Sequence, residues 1–217
     1  MPISSWFPSH DQPRDYQRGA WSALRGGCKR ACIVAHRRWG KDDIALHWAA
    51  VSAMRKPATY WHMLPQAAQA RKAIWEAINP HTGIRRIDEA FPKEIRATTR
   101  EQEMMIKFIN GSSWQVVGSD NYNSLVGSPP YGLTFSEWSL CDPGAWAYLR
   151  PILAENGGWA IFIYTSRGKN HGYSLYNMAE QSKDWYCLKS TAKNTDVFTE
   201  EQLQAELIEY QSSYYRS

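Results

Sequence analysis

No stretch of this chain comes near the uninterrupted apolar run needed to cross a bilayer, so it offers no candidate transmembrane helix and no membrane partner is expected. The opening residues, MPISSWFPSHDQP, lack the basic start and apolar stretch of a signal peptide, and an intracellular site is the expectation. Cysteine is scarce. Cys28, Cys32, Cys141 and Cys187 form no CxxC pair, and the six histidines show no finger-like spacing beside them. That poverty argues against a zinc site and a disulfide framework, and points to buried or idle reduced thiols. Internal repeats and low-complexity tracts are also missing.

What is present suits one large domain, or one domain with a small appendage: 217 residues, 43% hydrophobic and 21% charged. The net charge of +4 is unevenly placed. Between Arg14 and Lys41 stand eight basic residues against one acid, Asp15, whereas from Glu180 onward there are seven acids and four bases. A basic front half suits a polyanion, either nucleotide phosphates or nucleic acid, though a solvated basic face has the same charge. The eleven tryptophans are assigned to core or interface and carry no chemistry.

The hydrophobic patterns alternate between strand and helix periods. Residues 1–13 read as a loose leader and 14–198 as the core, with a closing helix in 199–217. Arg14 to Leu24 reads as a helix ended by Gly26-Gly27, and RACIVA (Arg30 to Ala35) as a buried strand. A helix over Asp42 to Met54 opens on an acid, where the helix dipole favours one. Ala58 to Leu64 is a strand, and Pro65 to Asn79 a helix with proline in its first turn. Within Glu94 to Val117, Asn110-Gly111 joins EMMIKFI to SSWQVV as a hairpin. Then follow a strand at Tyr131 to Glu137, a helix at Pro143 to Glu155, a strand at Trp159 to Thr165, a helix at Gly172 to Ser182 and a strand at Trp185 to Ser190. The last helix spans Thr199 to Tyr215, with Thr199 and Gln202 as a capping box. The alternation predicts an α/β fold with a mainly parallel sheet covered on both faces, plus an antiparallel hairpin addition.

Three constellations carry candidate chemistry. The first is Ala35-His36-Arg37-Arg38-Trp39-Gly40-Lys41-Asp42, between a strand and a helix. It matches the phosphate-binding loop at Gly40 and Lys41, and departs from it at Ala35 and Asp42. In such a loop, backbone N–H groups and the helix N-terminus cradle an anion, glycine permits close approach and lysine reaches the β- and γ-phosphates. Taken alone the match is weak. The second is Tyr131 to Glu137, a strand emerging at Ser136-Glu137, where P-loop ATPases place a metal-side residue and then a glutamate. Glu137 would polarise the attacking water. The two departures answer each other: Asp42 supplies a carboxylate where the loop normally has a hydroxyl, and Ser136 a hydroxyl where the strand normally has a carboxylate. A bare carboxylate beside a triphosphate is repulsive, so Asp42 implies a cation, Mg²⁺, bound directly or through water. That reading places Asp42 and Ser136 on opposite sides of one Mg²⁺ site; the plainer reading is that Asp42 and Asp43 merely start the helix. The third is Thr165-Ser166-Arg167-Gly168-Lys169-Asn170, a polar cluster at a strand end that can sense the γ-phosphate, or a turn without function. At the front, Tyr16 can stack on a base and Gln17 can read an adenine edge, and a plain helix start fits as well.

In this order and spacing the strings RRWGKDD, VGSDNYNSLVG, YGLTFSEW, RPILAENGGW and IYTSRGKNHG resemble the ATPase domain of tailed-phage large terminases, from Arg14 to the C-terminus. The resemblance implies a P-loop fold of the additional-strand, RecA-like class that hydrolyses ATP with Mg²⁺ to drive double-stranded DNA into a procapsid. It also implies roles. Arg37 is the loop arginine acting in cis, Lys41 the phosphate lysine and Glu137 the catalytic carboxylate. Thr165, Ser166 and Asn170 are the coupling motif, and Tyr16-Gln17 the adenine-recognition segment. His36, Arg38, Trp39, Gly40, Asp42 and Asp43 complete the nucleotide-binding stretch. Portal protein and small terminase subunit are the implied partners, a homo-oligomeric ring on the portal the implied assembly, and the host cytoplasm the implied location.

Two departures from the family pattern stand out. Where relatives carry an Arg-Gly pair reaching into the adjacent subunit, this chain has Val126-Gly127; a trans-acting finger then comes from elsewhere, with Arg150, Arg100 and Arg96 as candidates, or is absent. No cluster of acids follows of the kind that a ribonuclease-H-like nuclease needs, so no nuclease activity is expected of this chain. A strand-separating helicase shares the loop, the acid and the glutamine but calls for a second RecA-like domain. A nucleotide-regulated module without turnover is favoured only by Ser136 in place of aspartate.

Overall fold

A computed structural model describes residues 13–125, 127, 129–195 and 197–211. The leader short of Pro13, Val126 and the end of the closing helix past residue 211 lie outside the described residues. Eight strands form one sheet: β1 (Arg30–Ala35), β2 (Thr59–Leu64), β3 (Arg96–Arg100), β4 (Met105–Phe108), β5 (Ser113–Gly118), β6 (Gly132–Ser136), β7 (Trp159–Tyr164) and β8 (Trp185–Ser190). Their order across the sheet is β3-β4-β5-β2-β6-β7-β1-β8. From β5 to β8 every neighbour pairs in parallel, and β4 and β3 add to the β5 edge antiparallel. The expected hairpin is the β4–β5 pair; β3 extends it to a meander.

Parallel strands need crossovers, and the helices supply them. These are α1 (Arg18–Arg25), α2 (Lys41–Arg55), α3 (Ala67–Ala70), α4 (Arg86–Ala90), α5 (Pro143–Glu155), α6 (His171–Gln181) and α7 (Glu200–Gln211). Alternate strand residues feed two cores, as the period of a pleated strand requires. Ile33, Tyr60, Trp114 and Ile161 pack with α2 on one face; Cys32, Trp61, Phe135 and Phe162 pack with α5 and α6 on the other. The Phe135 and Phe162 rings stack at 5.0 Å, worth about 1 kcal/mol beyond their burial. Gly132 is forced by close approach: a Cβ there would lie 2.4 Å from the Trp159 ring and 2.5 Å from Tyr60.

The local signals set most boundaries. Asp142 accepts the Gly144 N–H as the cap of α5, with Pro143 at its start. Thr199 and Gln202 form the expected reciprocal cap of α7. One expectation fails. The helix expected over Pro65 to Asn79 is only α3, followed by a π-type turn at Arg71–Trp75. That widened turn accompanies full burial of Trp75, which stacks on Trp114 and donates from Nε1 to Glu101. After it, Asn79 is held by Glu89 and Ile78 bridges to Arg85, so the chain turns back instead of continuing as helix. At the front, Asp15–Gln17 is a 3-10 turn ahead of α1. No described helix is long and apolar enough to cross a membrane.

Candidate active site at the strand ends

β7 lies between β1 and β6, so the loop after β1, the acid after β6 and the polar segment after β7 converge at the carboxyl ends of three neighbouring parallel strands. That edge is where open α/β sheets hold ligands. A cavity of about 1140 Å³ opens there, lined among others by Arg37, Lys41, Asp42 and Glu137.

The loop between β1 and α2 is wound by left-handed residues, Arg38 at φ 66° and Gly40 at φ 84°. Such winding turns successive N–H groups toward one concavity. Glycine suits that winding at position 40, and a Cβ there would also press on Gln17 Nε2 at 2.6 Å. Trp39 is fully buried and packs near Tyr16, anchoring the loop from beneath. His36 contacts the Arg37 carbonyl through Nδ1 at 2.5 Å and Thr195 through Nε2 at 2.8 Å. Arg37 and Arg38 are exposed and line the cavity.

Lys41 is only 7% exposed. Its Nζ donates to the carbonyls of Ala35 and His36 at 3.0 Å each and to Thr165 Oγ1 at 3.3 Å. Burial lowers its pKa, and the charges of Asp42 and Glu137 oppose that. Asp42 is not across a cation from Ser136. Ser136 Oγ donates directly to Asp42 Oδ1 at 2.7 Å, too close for a metal between them, so the expected opposition is replaced by contact. His62, in the middle of β2, meets the same Oδ1 through Nε2 at 3.2 Å. Burial pushes the Asp42 carboxyl up, but the bonds from His62 and Ser136 and the charge of Lys41 outweigh it and hold the carboxyl below its ordinary value. Glu137 follows at the strand end with φ 55°, a left-handed conformation that is strained for a side chain of its kind. Burial raises its pKa; Lys41 pulls it down and Asp42 pushes it further up.

The segment after β7 joins this cluster at one residue. Thr165 Oγ1 donates to Ala35 O at 3.2 Å and receives Lys41. Ser166 instead faces a separate cavity beside α6. Asn170 caps α6, accepting from Gly172 and Tyr173 N–H, and donates to the carbonyls of Ser139 and Arg167. With Ser139 Oγ donating to Thr165 O and His171 Nε2 meeting Trp138 O at 2.7 Å, the segment after β7 is laced to the turn that follows Glu137.

The same cavity is also lined by Arg14, Tyr16, Asp43, Arg86 and the stretch from Ala77 to His81. Arg14 donates to Tyr16 Oη at 2.8 Å, and Arg86 pairs with Asp43 at 2.9 Å. Burial raises the Asp43 pKa, opposed by Arg86. Gln17 differs from its expected place at an adenine edge. It is 3% exposed, its Nε2 donates to Trp39 O at 2.7 Å and its Oε1 accepts from Arg14 N–H, so both ends of the amide are spent on the backbone.

Sequence reasoning missed His62 and Arg86. A lone histidine inside an otherwise apolar strand was a usable signal for the first; nothing local marks the second. Among the trans-finger candidates, Arg96 is 7% exposed in its side chain and holds Asp88, Phe91 O and Ile87 O, so it is structural, whereas Arg100 and Arg150 are exposed.

Among the described residues no group of three or more His, Cys, Asp or Glu side chains can hold a metal by itself. Mg²⁺ arriving with a nucleotide asks for less, since phosphate oxygens and waters fill most of its octahedron. The Asp42 carboxylate, with Ser136 Oγ and Glu137 beside it, is a fitting all-oxygen donor set for that arrangement.

No protein-family model and no curated protein sequence matches the chain. Solved structures do. The large terminase ATPase domain of a Thermus phage is 18% identical at a TM-score of 0.65, over 82% of this chain and 81% of that one. The large terminase of a thermophilic bacteriophage is 14% identical at 0.70, over 94% of this chain and 52% of that one. The same thermophilic-phage terminase in complex with ADP is 11% identical at 0.66. The chain therefore spans about half the length of that terminase, and it shares the fold of the ATPase domains of phage large terminases.

Proposed function

We propose that this chain is a Mg²⁺-dependent ATPase whose hydrolysis drives double-stranded viral DNA into a procapsid, the motor domain of a large terminase. The observation that carries the reading is the gathering of Lys41, Asp42, Ser136 and Glu137 at the ends of β1 and β6, on this fold. Backbone N–H groups of 36–41 cradle the phosphates, and Lys41 leaves the Ala35 and His36 carbonyls to meet them. Arg37 neutralises charge at the γ-phosphate. Glu137 orients and polarises the attacking water. Asp42 holds Mg²⁺, directly or through water, with Ser136 fixing the carboxylate; the metal supplies charge neutralisation on the phosphate oxygens. Tyr16 offers its ring to the base while Gln17 braces the loop. Thr165, touching Lys41, reports the state of the phosphates, and Asn170 carries the signal to α6 through Ser139.

The same reading brings duplex DNA, a portal protein and a small terminase subunit as partners, a ring of subunits on the portal and action in the host cytoplasm. A packaging motor grips any sequence, so duplex binding is expected to rest on phosphate contacts and to weaken with salt. Steady-state phosphate release with Mg²⁺, with and without duplex DNA, tests the proposal. DNA-stimulated turnover is expected; nucleotide binding without turnover would favour the regulatory module instead.

A further inference from the structure

The pairing of His62 with Asp42 belongs to no motif in the sequence, yet the fold goes out of its way to make it. His62 is fully buried on β2, a strand whose other inward residues are Tyr60 and Leu64, so an aliphatic side chain would suit the site better. Its Nδ1 has no hydrogen-bond partner among the described residues, and Thr134, in register with it on β6, leaves Oγ1 unpartnered as well. Burying unpaired polar atoms costs free energy, so the one bond His62 does make needs a reason.

We propose that His62 is a positioning residue of the cation site, orienting the Asp42 carboxylate from below. This rests on the reading of Asp42 as the metal-side residue. A carboxylate only accepts, so Nε2 must carry the hydrogen and donate to Oδ1. Ser136 Oγ–H donates to that same oxygen. Two donors on Oδ1, one from β2 and one from β6, fix the rotation of the side chain and leave Oδ2 as the oxygen for the cation. A serine or threonine at this loop position has one oxygen and needs no such clamp. Aspartate has two oxygens and a free rotor beside the buried Lys41, toward which it would otherwise swing. His62 and Ser136 together turn an atypical loop residue into a defined ligand, in the way outer-shell donors commonly fix metal ligands.

The test is nucleotide binding, read by a fluorescent ATP analogue titrated in EDTA and again across a range of Mg²⁺, in wild type, His62→Leu and His62→Gln. Glutamine can place an amide N–H near the position of Nε2; leucine fills the space without a donor. In His62→Leu the Mg²⁺ concentration for half-maximal enhancement is expected to rise about 10-fold or more, the usual scale for removing an outer-shell partner, with binding in EDTA unchanged. His62→Gln is expected to recover most of that loss, which a purely packing role would not produce. In an Asp42→Ala background, His62→Leu is expected to have no further effect on the Mg²⁺ response. Circular dichroism and thermal melting confirm folding. An unchanged Mg²⁺ requirement in folded His62→Leu, or an equal loss in EDTA, overturns the inference alone. Wild-type protein that binds no nucleotide overturns the functional reading and this inference with it.

Discussion

The two groups of residues that line the cavity, a proposed phosphate end and a proposed base end, are built on different terms. At the phosphate end Lys41, Asp42 and Ser136 are held by bonds that cross between strands, with Lys41 joined to β7 through Thr165 and Asp42 joined to β2 and β6. At the proposed base end Tyr16 is half-buried and its partner Arg14 is exposed. The first end is preorganised as chemistry demands, since charge developing in a transition state is best met by groups already in place. The second is left to adapt, as suits a part of the ligand that does not react. Changes at the phosphate end should therefore act on turnover, and changes at the base end on affinity.

The largest expected effects are Lys41→Ala and Glu137→Gln. Lys41→Ala removes the point charge from the phosphates and should abolish turnover while the fold, checked by melting, survives. Glu137→Gln keeps shape and loses the base, so ATP should bind while hydrolysis falls by roughly 10²-fold or more. Phosphate release and analogue binding measured together check both; a Glu137→Gln variant that hydrolyses normally would remove that residue from the mechanism. Next comes Gly132→Ala, which touches neither end. Its methyl would collide with Trp159 and Tyr60 between β6 and β7, and a loss of roughly 1–3 kcal/mol in a denaturant titration is expected. If it lowers turnover without lowering stability, the strand ends are more sensitive to β6 than the bonding suggests. The smallest effect is at the base end. Tyr16→Ala should raise KM several-fold, since a stacked ring is worth about 1 kcal/mol, and leave kcat nearly unchanged. A drop in kcat would erase the distinction between the two ends.

The same contrast explains what was legible in the sequence. The parallel sheet, the loop at Gly40-Lys41 and the acid at Glu137 follow from local patterns, because each depends on a run of neighbouring residues. Asp42 and Ser136 were legible as a pair only because each broke an expected pattern in the opposite sense, and their direct contact was not foreseen. Which strands neighbour which depends on packing across the whole sheet, so local pattern neither separates β3 from the alternating stretch around it nor gives His62 a partner. The failure after Ala70 has a similar origin: the helical period there is genuine, but burying Trp75 against Trp114, far along the chain, widens the turn. Residue type and resemblance both point Gln17 at an adenine edge, and the carbonyl of Trp39 claims it instead.

If the loop and the strand have exchanged roles, with the carboxylate on Asp42 and the hydroxyl on Ser136, a double-mutant cycle in Mg²⁺-dependent phosphate release reads the exchange most directly. Asp42→Thr alone should be severely impaired, because neither position then offers a carboxylate. Ser136→Asp alone sets two carboxylates side by side and should also be impaired. Asp42→Thr with Ser136→Asp restores the usual arrangement and should recover part of the activity, a positive coupling between the two sites. Losses that simply add, with the double variant as poor as the two single defects combined, would contradict it.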